Sequence, residues 1–115
     1  MIINDYHTFL DAAAAAGTEK LVKINQFESD RMFVDYYFLR PGEEQKSHTH
    51  ADSDKIYVVL EGNGTFLIGK GEHLLSAGEG AVAAAGVPHG VRNHTERMLV
   101  LLVVMAPHPG IKPKP

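Results

Sequence analysis

The stretch from Gly42 to Gly62, GEEQKSHTHADSDKIYVVLEG, decides how the rest of the chain is interpreted. Two histidines, His48 and His50, stand two residues apart, just before an apolar run that ends at Gly62. In extended chain, side chains two residues apart point to the same face. Imidazole is the commonest metal-binding side chain, and its neutral form dominates at neutral pH. The stretch therefore predicts half of a metal site at the start of a strand.

The composition of the 115-residue chain is that of one soluble globular domain. Hydrophobic residues make up 44% and charged residues 22%, which is enough to bury a core. The net charge is -3, with acids and bases mixed, so we expect no nucleic-acid partner. The absence of cysteine excludes disulfides, thiolate metal ligands and cysteine nucleophiles. The sequence has neither a secretory signal nor an apolar run near the ~18 residues that span a bilayer, so we expect a cytoplasmic protein without a membrane partner.

Local patterns predict strands behind a short N-terminal helix. The helix is expected over residues 5–16, where an alanine run ends at Gly17. Strands are expected at 20–27, 31–40, 55–60, 65–68, 72–75, 81–85, from His89 onward, and 97–105. Gly62-Asn63-Gly64 is expected to close a hairpin. Many short strands separated by turns indicate an all-β sandwich or barrel, here over residues 20–106 with an extended tail at 107–115.

Two of the predicted strands are apolar on both faces. These are the run Ile56–Leu60 and the last strand, which contains MLVLLVVM at 98–105. One face of each strand in a single antiparallel sheet should meet solvent unless something covers it. A second copy of the chain would cover it, and so we expect a homodimer. The alternative is that the N-terminal helix and strand cover this face within one chain.

The spacing of the glycines and histidines resembles that of the cupin family. Gly42, His48-Thr49-His50, residue 55 and Gly62 have the spacing of the first cupin motif. The second motif is matched by Gly78, the segment AAGVPH that ends at His89, and Asn93. The two motifs and the segment between them cover nearly half of the chain. The resemblance implies a single-domain cupin, an all-β jelly-roll barrel.

The cupin resemblance also implies a metal site. His48, His50 and His89 would converge inside the barrel on one divalent metal. Imidazole ligands suit Fe, Mn, Ni, Zn and Cu, so the sequence does not select the metal. Three protein ligands with open positions are typical of a catalytic site rather than a closed structural one. The remaining histidines, which are His7, His73, His94 and His108, are expected to be exposed and not to bind metal.

The chain departs from the cupin pattern at Lys55, where the first motif has a glutamate ligand. A protonated lysine would repel the metal that a carboxylate would attract. Three alternatives follow: three histidines alone hold the metal and Lys55 stands beside it or binds a substrate anion, Asp52 or Asp54 replaces the carboxylate, or no metal is held. Tyr57 lies two residues after Lys55 on the same strand face and is a candidate pocket residue.

Two classes of function remain open from the sequence. The first is a metal-dependent enzyme, a dioxygenase or other oxidoreductase that acts on a small organic substrate. The second is a binding or sensor protein that takes a small anion through Lys55, with or without metal. A metal-free isomerase that uses His89 or Tyr57 as acid or base is a third alternative. The fold alone does not choose among them, because one fold serves many functions.

Overall fold

The computed structural model describes residues 1–17 and 20–111. A 3-10 helix, Tyr6–Phe9, leads into helix α1, Leu10–Ala14. The Asp5 side chain begins this segment by accepting a hydrogen bond from the backbone N–H of His7. The helical segment is shorter than the predicted range 5–16. Alanine has a high helix propensity, but short helices depend on packing, and in α1 only Ala13 is buried.

Nine strands follow within the described residues. Their bounds are β1 Val22–Glu28, β2 Phe33–Leu39, β3 Glu44–His48, β4 Asp54–Glu61, β5 Asn63–Ile68, β6 Gly71–Ser76, β7 Gly80–Ala83, β8 His89–Arg92 and β9 Leu99–Ala106. They form a five-stranded sheet in the order β1-β2-β9-β4-β7 and a four-stranded sheet in the order β3-β8-β5-β6. All the strand pairings are antiparallel. The predicted all-β jelly-roll fold with a short N-terminal helix is therefore confirmed.

The predicted hairpin at Gly62-Asn63-Gly64 is wrong. β4 and β5 belong to different sheets, and β5 instead forms a hairpin with β6 across Gly69 and Lys70. Gly62 has φ +83°, and a Cβ there would lie 2.5 Å from the carbonyl oxygen of Met98. Only glycine allows the chain to pass so close to the segment before β9. The turn chemistry was recognised correctly, but it carries the chain from one sheet to the other.

β3 was not among the predicted strands. Its sequence, EQKSH, contains no hydrophobic residue and so gives no alternating signal. His48 ends β3 and pairs with His89 of β8, whereas His50 lies in the connection to β4. The histidine pair therefore stands at the end of β3 and not at the start of the following strand.

The core fills the space between the two sheets. Inward side chains of both sheets form it: Tyr37, Leu39, Tyr57, Val59, Phe66, Val91, Leu99, Leu101 and Val103. On β4 the residues Lys55, Tyr57 and Val59 are buried, while Ile56 is exposed. The face on which Tyr57 was predicted to lie together with Lys55 is thus confirmed. β4 brings these two polar side chains to the interior.

The outer face of the five-stranded sheet is only partly covered by the N-terminal segment. Tyr6, Phe9 and Leu10 pack against a second buried cluster that includes Phe38 and Val100. Ile56 and Val82 remain 42% and 60% exposed. The helical segment therefore covers one part of this face within the chain, and an aliphatic part is left open to solvent.

The chain after β9 folds back onto the first two strands. The His108 Nε2 lies 3.0 Å from Oε2 of Glu28, and its ring packs at the edge of Phe33. The His108 side chain is only 14% exposed, so the prediction that it is exposed is wrong. Residues 112–115 of the predicted tail lie outside the described residues. No helix in the described parts of the chain is long and apolar enough to cross a membrane.

Candidate metal centre

Two strands and a loop bring the three predicted histidines together. His48 and His89 are direct partners across β3 and β8, with ring centroids 4.3 Å apart. The His50 loop is held by its backbone carbonyl, which accepts a hydrogen bond of 2.8 Å from the N–H of Gly86. One ligand atom from each of His48, His50 and His89 lies within 4.8 Å of the others. The three imidazoles therefore surround one point.

A close contact between strands fixes this arrangement. The register of β3 against β8 shifts between Gln45 and His48. At that shift, a Cβ on Gly90 would lie 2.7 Å from the carbonyl oxygen of Gln45. A glycine next to His89 therefore lets the two backbones approach closely at the irregular part of the pairing.

Backbone carbonyls orient two of the imidazoles. His48 Nδ1 lies 2.8 Å from the Lys46 carbonyl, and His89 Nδ1 lies 2.9 Å from the Val87 carbonyl. A carbonyl only accepts, so each Nδ1 carries the proton and each Nε2 presents a lone pair. This carbonyl contact is the usual way in which a metal-binding histidine is held in one tautomer.

The Nε2 atom of His89 tests whether a metal fits. It is buried and has no hydrogen-bond partner among residues 1–17 and 20–111. Leaving a buried polar atom unpaired costs about 1–3 kcal/mol. A divalent cation among the three imidazoles would occupy this lone pair, so the donor set fits a metal ion of imidazole preference. The residues Asp52 and Asp54 are not part of the group. Asp54 is exposed and accepts a hydrogen bond from the backbone N–H of Ala85.

Burial keeps the three imidazoles neutral. It is the largest cause that lowers the pKa of His48 and of His50. For His89, burial lowers the pKa to about 4, and the nearby charge of Lys55 acts in the same direction. Neutral imidazole is the form that binds metal. The site is therefore competent to take up a cation at neutral pH.

A small cavity of about 200 Å³ opens beside the histidines. The side chains that matter for its chemistry are Lys23, Tyr37, Gln45, His48, His50 and Lys55. A larger cavity of about 590 Å³ adjoins it and shares Lys23 and Gln45. We place the chemistry in the smaller cavity because His48 and His50 line it. Tyr57, a predicted pocket residue, is fully buried and is not among the residues that line this cavity.

Lys55 is bound to neutral partners. Its side chain is 1% exposed, and Nζ donates to Gln45 Oε1 at 3.2 Å. The Tyr57 hydroxyl donates to the same oxygen at 2.8 Å. Nζ also lies 5.3 Å from the ring centroid of Tyr37 and 4.9 Å from that of Tyr57. One amide oxygen thus holds both Lys55 and Tyr57.

The electrostatics of Lys55 differ from those of an exposed lysine. Its pKa is lowered to about 7, mainly by burial and in smaller part by the positive charge of Lys23. Asp35 and the faces of the two tyrosine rings favour the protonated form and so act against burial. A lysine that loses its proton near neutrality does not carry the fixed positive charge that would expel a metal.

Gln45 and Lys23 were missed by the sequence interpretation. Gln45 lies on β3, which has no hydrophobic pattern, and Lys23 is an exposed residue on β1. Only the strand pairing brings them to the cavity. Of the histidines predicted to be exposed, His73 and His94 are so, and His7 has a 60% exposed side chain. None of these belongs to the metal group.

The profile of the cupin domain matches residues 36–105, which include the three histidines and Lys55. This chain belongs to the cupin family. The predicted family is thereby confirmed over more than half of the sequence. No curated protein matches this cupin.

Solved structures extend the likeness to almost the full chain. The TT1209 protein of Thermus thermophilus is 47% identical and has a TM-score of 0.83, over 95% of this cupin and 100% of that chain. A conserved protein with a double-stranded β-helix domain from Klebsiella pneumoniae is 25% identical, with a TM-score of 0.77 over 88% and 90%. A sugar phosphate isomerase of the cupin superfamily from Silicibacter pomeroyi is 29% identical, with a TM-score of 0.64 over 69% of this cupin and 52% of that chain.

Proposed function

We propose that this cupin is a metal-dependent enzyme that carries out oxidative, dioxygenase-like chemistry on a small organic substrate. The observation that carries the proposal is the buried, unpartnered Nε2 of His89 in a group of three neutral imidazoles. Three protein ligands leave coordination positions open, as a catalytic centre requires. A divalent metal held by His48, His50 and His89 would supply a Lewis acid for oxidative chemistry.

The residues of the chain supply binding and orientation. The carbonyls of Lys46 and Val87 hold two imidazoles in the tautomer that binds metal. The cavity beside them limits the substrate, since about 200 Å³ is below the usual ligand pocket of about 300–1,000 Å³. Lys55 and Gln45 line the wall on which the organic part of a substrate would lie.

Metal analysis tests the first half of the proposal. Protein purified without a nickel column should contain close to one equivalent of a transition metal, and His50→Ala should contain much less. His94→Ala is the matched control because His94 is exposed and outside the group. Metal below ~0.1 equivalent in wild type, even after incubation with Fe, Mn, Ni, Zn and Cu, would overturn the proposal, because neutral imidazoles should bind at least one of them.

Oxygen uptake tests the second half. The metal-loaded protein should consume O₂ with at least one member of a panel of small organic acids, alcohols and phenols. A chelator should stop the uptake, and His50→Ala should not show it. Uptake that is equal in wild type and His50→Ala would exclude this centre as its source.

The second candidate is a non-enzymatic cupin that binds a small anion. Lys23 and Lys55 both lie close to the ring of Tyr37 at the cavity, with Nζ 5.1 and 5.3 Å from its centroid. Two amines at one ring favour an anionic ligand. Calorimetry with small carboxylates separates the candidates: tight binding without O₂ uptake or turnover favours the binding protein. A third alternative is a metal-free isomerase, which the similarity to the sugar phosphate isomerase of Silicibacter pomeroyi supports. Turnover that continues in the presence of a chelator would favour this alternative.

We further propose that the cupin is a homodimer. The support is an open row of aliphatic side chains, Val104, Ile56 and Val82, which pair in register across β9, β4 and β7. A row of this kind is self-complementary about a two-fold axis. The cytoplasmic location expected from the sequence is likewise a proposal, and cell fractionation would test it.

A further inference from the structure

Lys55 presents a buried amine to the cavity, and this amine is not one of the ligands of the three-histidine centre. Its side chain is 1% exposed, yet it lines the cavity. Among residues 1–17 and 20–111, no carboxylate oxygen lies within 4.0 Å of its Nζ. Its hydrogen-bond acceptor is the neutral amide of Gln45. Buried lysines are normally paired with an acid, so this amine lacks the partner that would hold its proton.

Burial and the neighbouring Lys23 favour the nucleophilic form of this amine. Lysine becomes a nucleophile when it is desolvated or stands next to another cationic group. Lys55 meets both conditions, because it is buried and Lys23 lies near the same tyrosine ring. The pKa of Lys55, lowered to about 7 chiefly by burial, agrees with this. The hydrogen bond to Gln45, at 3.2 Å, is long enough to be given up to a ligand.

The two tyrosine rings suit the product of an attack by this amine on a carbonyl group. A protonated Schiff base keeps a positive charge on the lysine nitrogen. That nitrogen lies 5.3 Å from the ring centroid of Tyr37 and 4.9 Å from that of Tyr57. Ring faces at this distance attract a cation. The surroundings therefore stabilise an iminium ion without a carboxylate.

We propose that Lys55 is a carbonyl-reactive amine that binds small anionic aldehydes and ketones, of the 2-oxo acid class, as a Schiff base. This goes beyond the proposed oxidative function and does not depend on a metal. The Lys55 nitrogen attacks the carbonyl carbon, a C–N bond forms, and the C=O π pair moves to oxygen. One N–H proton passes from nitrogen to that oxygen and gives a carbinolamine. The hydroxyl takes the second N–H proton, the C–O bond breaks, water leaves, and the nitrogen lone pair completes the C=N bond. Amine and carbonyl give imine and water, with no change of oxidation state, and the imine then takes up a proton from solvent to become the iminium ion.

Lys23 and the cavity define the class of carbonyl compound. The side chain of Lys23 is exposed and borders both the small cavity and the larger one beside it. It can bind the carboxylate of a 2-oxo acid whose carbonyl carbon reaches Lys55. The volume of about 200 Å³ restricts the ligand to a few heavy atoms, which pyruvate satisfies.

Reductive trapping tests the proposal directly. Wild-type protein, kept metal-free with a chelator, is incubated with pyruvate and cyanoborohydride, and the labelled lysine is located by peptide mass spectrometry. Labelling at Lys55 should exceed that at the exposed Lys70 by about tenfold or more, as expected for a desolvated amine. Equal labelling of Lys55 and Lys70 would overturn the proposal, and this comparison needs no variant.

Variants sharpen the trapping experiment. Lys55→Met should lose the label while keeping its circular dichroism spectrum, and Lys70→Met should keep the label at Lys55. The ratio of pyruvate labelling to acetone labelling at Lys55 should fall by about 3-fold in Lys23→Met, because one exposed ion pair between Lys23 and the pyruvate carboxylate is lost. An unchanged ratio would remove Lys23 from the proposal and with it the preference for anions.

The metal content of the same samples separates this inference from the proposed function. Trapping at Lys55 in a protein that takes up no metal would leave the Schiff base and remove the oxidative centre. Metal uptake without trapping at Lys55 would do the reverse.

Discussion

Two neighbouring residues on β4 contrast the inside and the outside of this cupin. Lysine is charged in most proteins, yet Lys55 is only 1% exposed here. The next residue, Ile56, is aliphatic and 42% exposed. By residue type alone, the lysine would be expected at the surface and the isoleucine in the interior. The inward face of β4 meets a cavity lined by His48 and His50, and the outward face forms part of an open aliphatic row. Each reversal costs stability, so we infer that each serves a ligand or a partner.

The contrast also separates two kinds of polar group. Lys55 has an amide oxygen as its hydrogen-bond acceptor, so its burial is partly compensated. His89 Nε2 has no hydrogen-bond partner in the part of the chain that the structure describes. A metal would satisfy His89, and a carbonyl compound would use Lys55. The inner face can thus hold two different reagents a short distance apart.

The largest effect is expected from the inner face, at His89. His89→Ala should weaken metal binding by more than ~100-fold, because even the loss of a group that only orients a ligand costs about 10–100-fold. Titration with a metal-sensitive dye measures it. His73→Ala, a substitution at an exposed histidine of β6, is the control and should bind as wild type does. Equal affinity in His89→Ala and wild type would remove His89 from the centre.

The next effect is expected from the outer face, at Ile56. Ile56→Glu places a charge in the middle of the aliphatic row and should weaken the dimer by about 2 kcal/mol, or ~30-fold, the size of an interface hot spot. Light scattering across a concentration series measures the change. Leu74→Glu is matched to it, because Leu74 is 73% exposed but lies on β6 of the other sheet. A wild type that is monomeric throughout the series would end the dimer proposal.

The sequence predicted more of the metal centre than of the cavity around it. His48, His50 and His89 follow turns marked by glycine and proline at fixed spacing. Such a pattern can be recognised in the sequence without knowing which strands pair. Gln45 carries no such signal, since β3 lacks hydrophobic residues and is defined by its pairing with β8. Apart from Tyr57 on the same strand, the groups around Lys55 come from three other strands: Lys23 from β1, Tyr37 from β2 and Gln45 from β3. Nothing near Lys55 in the sequence indicates these three. The error at Gly62 has the same origin, because a turn signal does not say which sheet receives the next strand.

The smallest effect concerns the pH dependence of stability, and it returns to Lys55. Lys55 has a pKa of about 7 in the folded protein and about 10.4 when unfolded. Between these values the unfolded chain binds more protons, so the free energy of unfolding rises with pH. One proton corresponds to about 1.4 kcal/mol per pH unit at most. Because the tyrosine rings oppose the shift, we expect wild type to gain about 1–2 kcal/mol between pH 7 and pH 9 from this residue.

The histidines and tyrosines that face Lys55 have pKa values outside the range from pH 7 to pH 9. His48, His50 and His89 have pKa values lowered below 6.5, so they titrate under pH 7. Tyr37 and Tyr57 have pKa values raised above 10 by burial. Lys55, with a pKa of about 7, titrates at the start of the window that these histidines and tyrosines leave free.

Urea unfolding of metal-free wild type and Lys55→Met at pH 7, 8 and 9 measures the difference. The Met variant removes a buried amine without opening a cavity, and so it should be the more stable protein at pH 7. Its advantage should shrink by about 1–2 kcal/mol toward pH 9, as wild type sheds the proton of Lys55. Lys70→Met, at an exposed turn, should run parallel to wild type. If the free energy of unfolding of Lys55→Met has the same pH dependence as that of wild type, Lys55 stays charged in the folded protein. Lys55 would then be a buried cation stabilised by the two tyrosine rings.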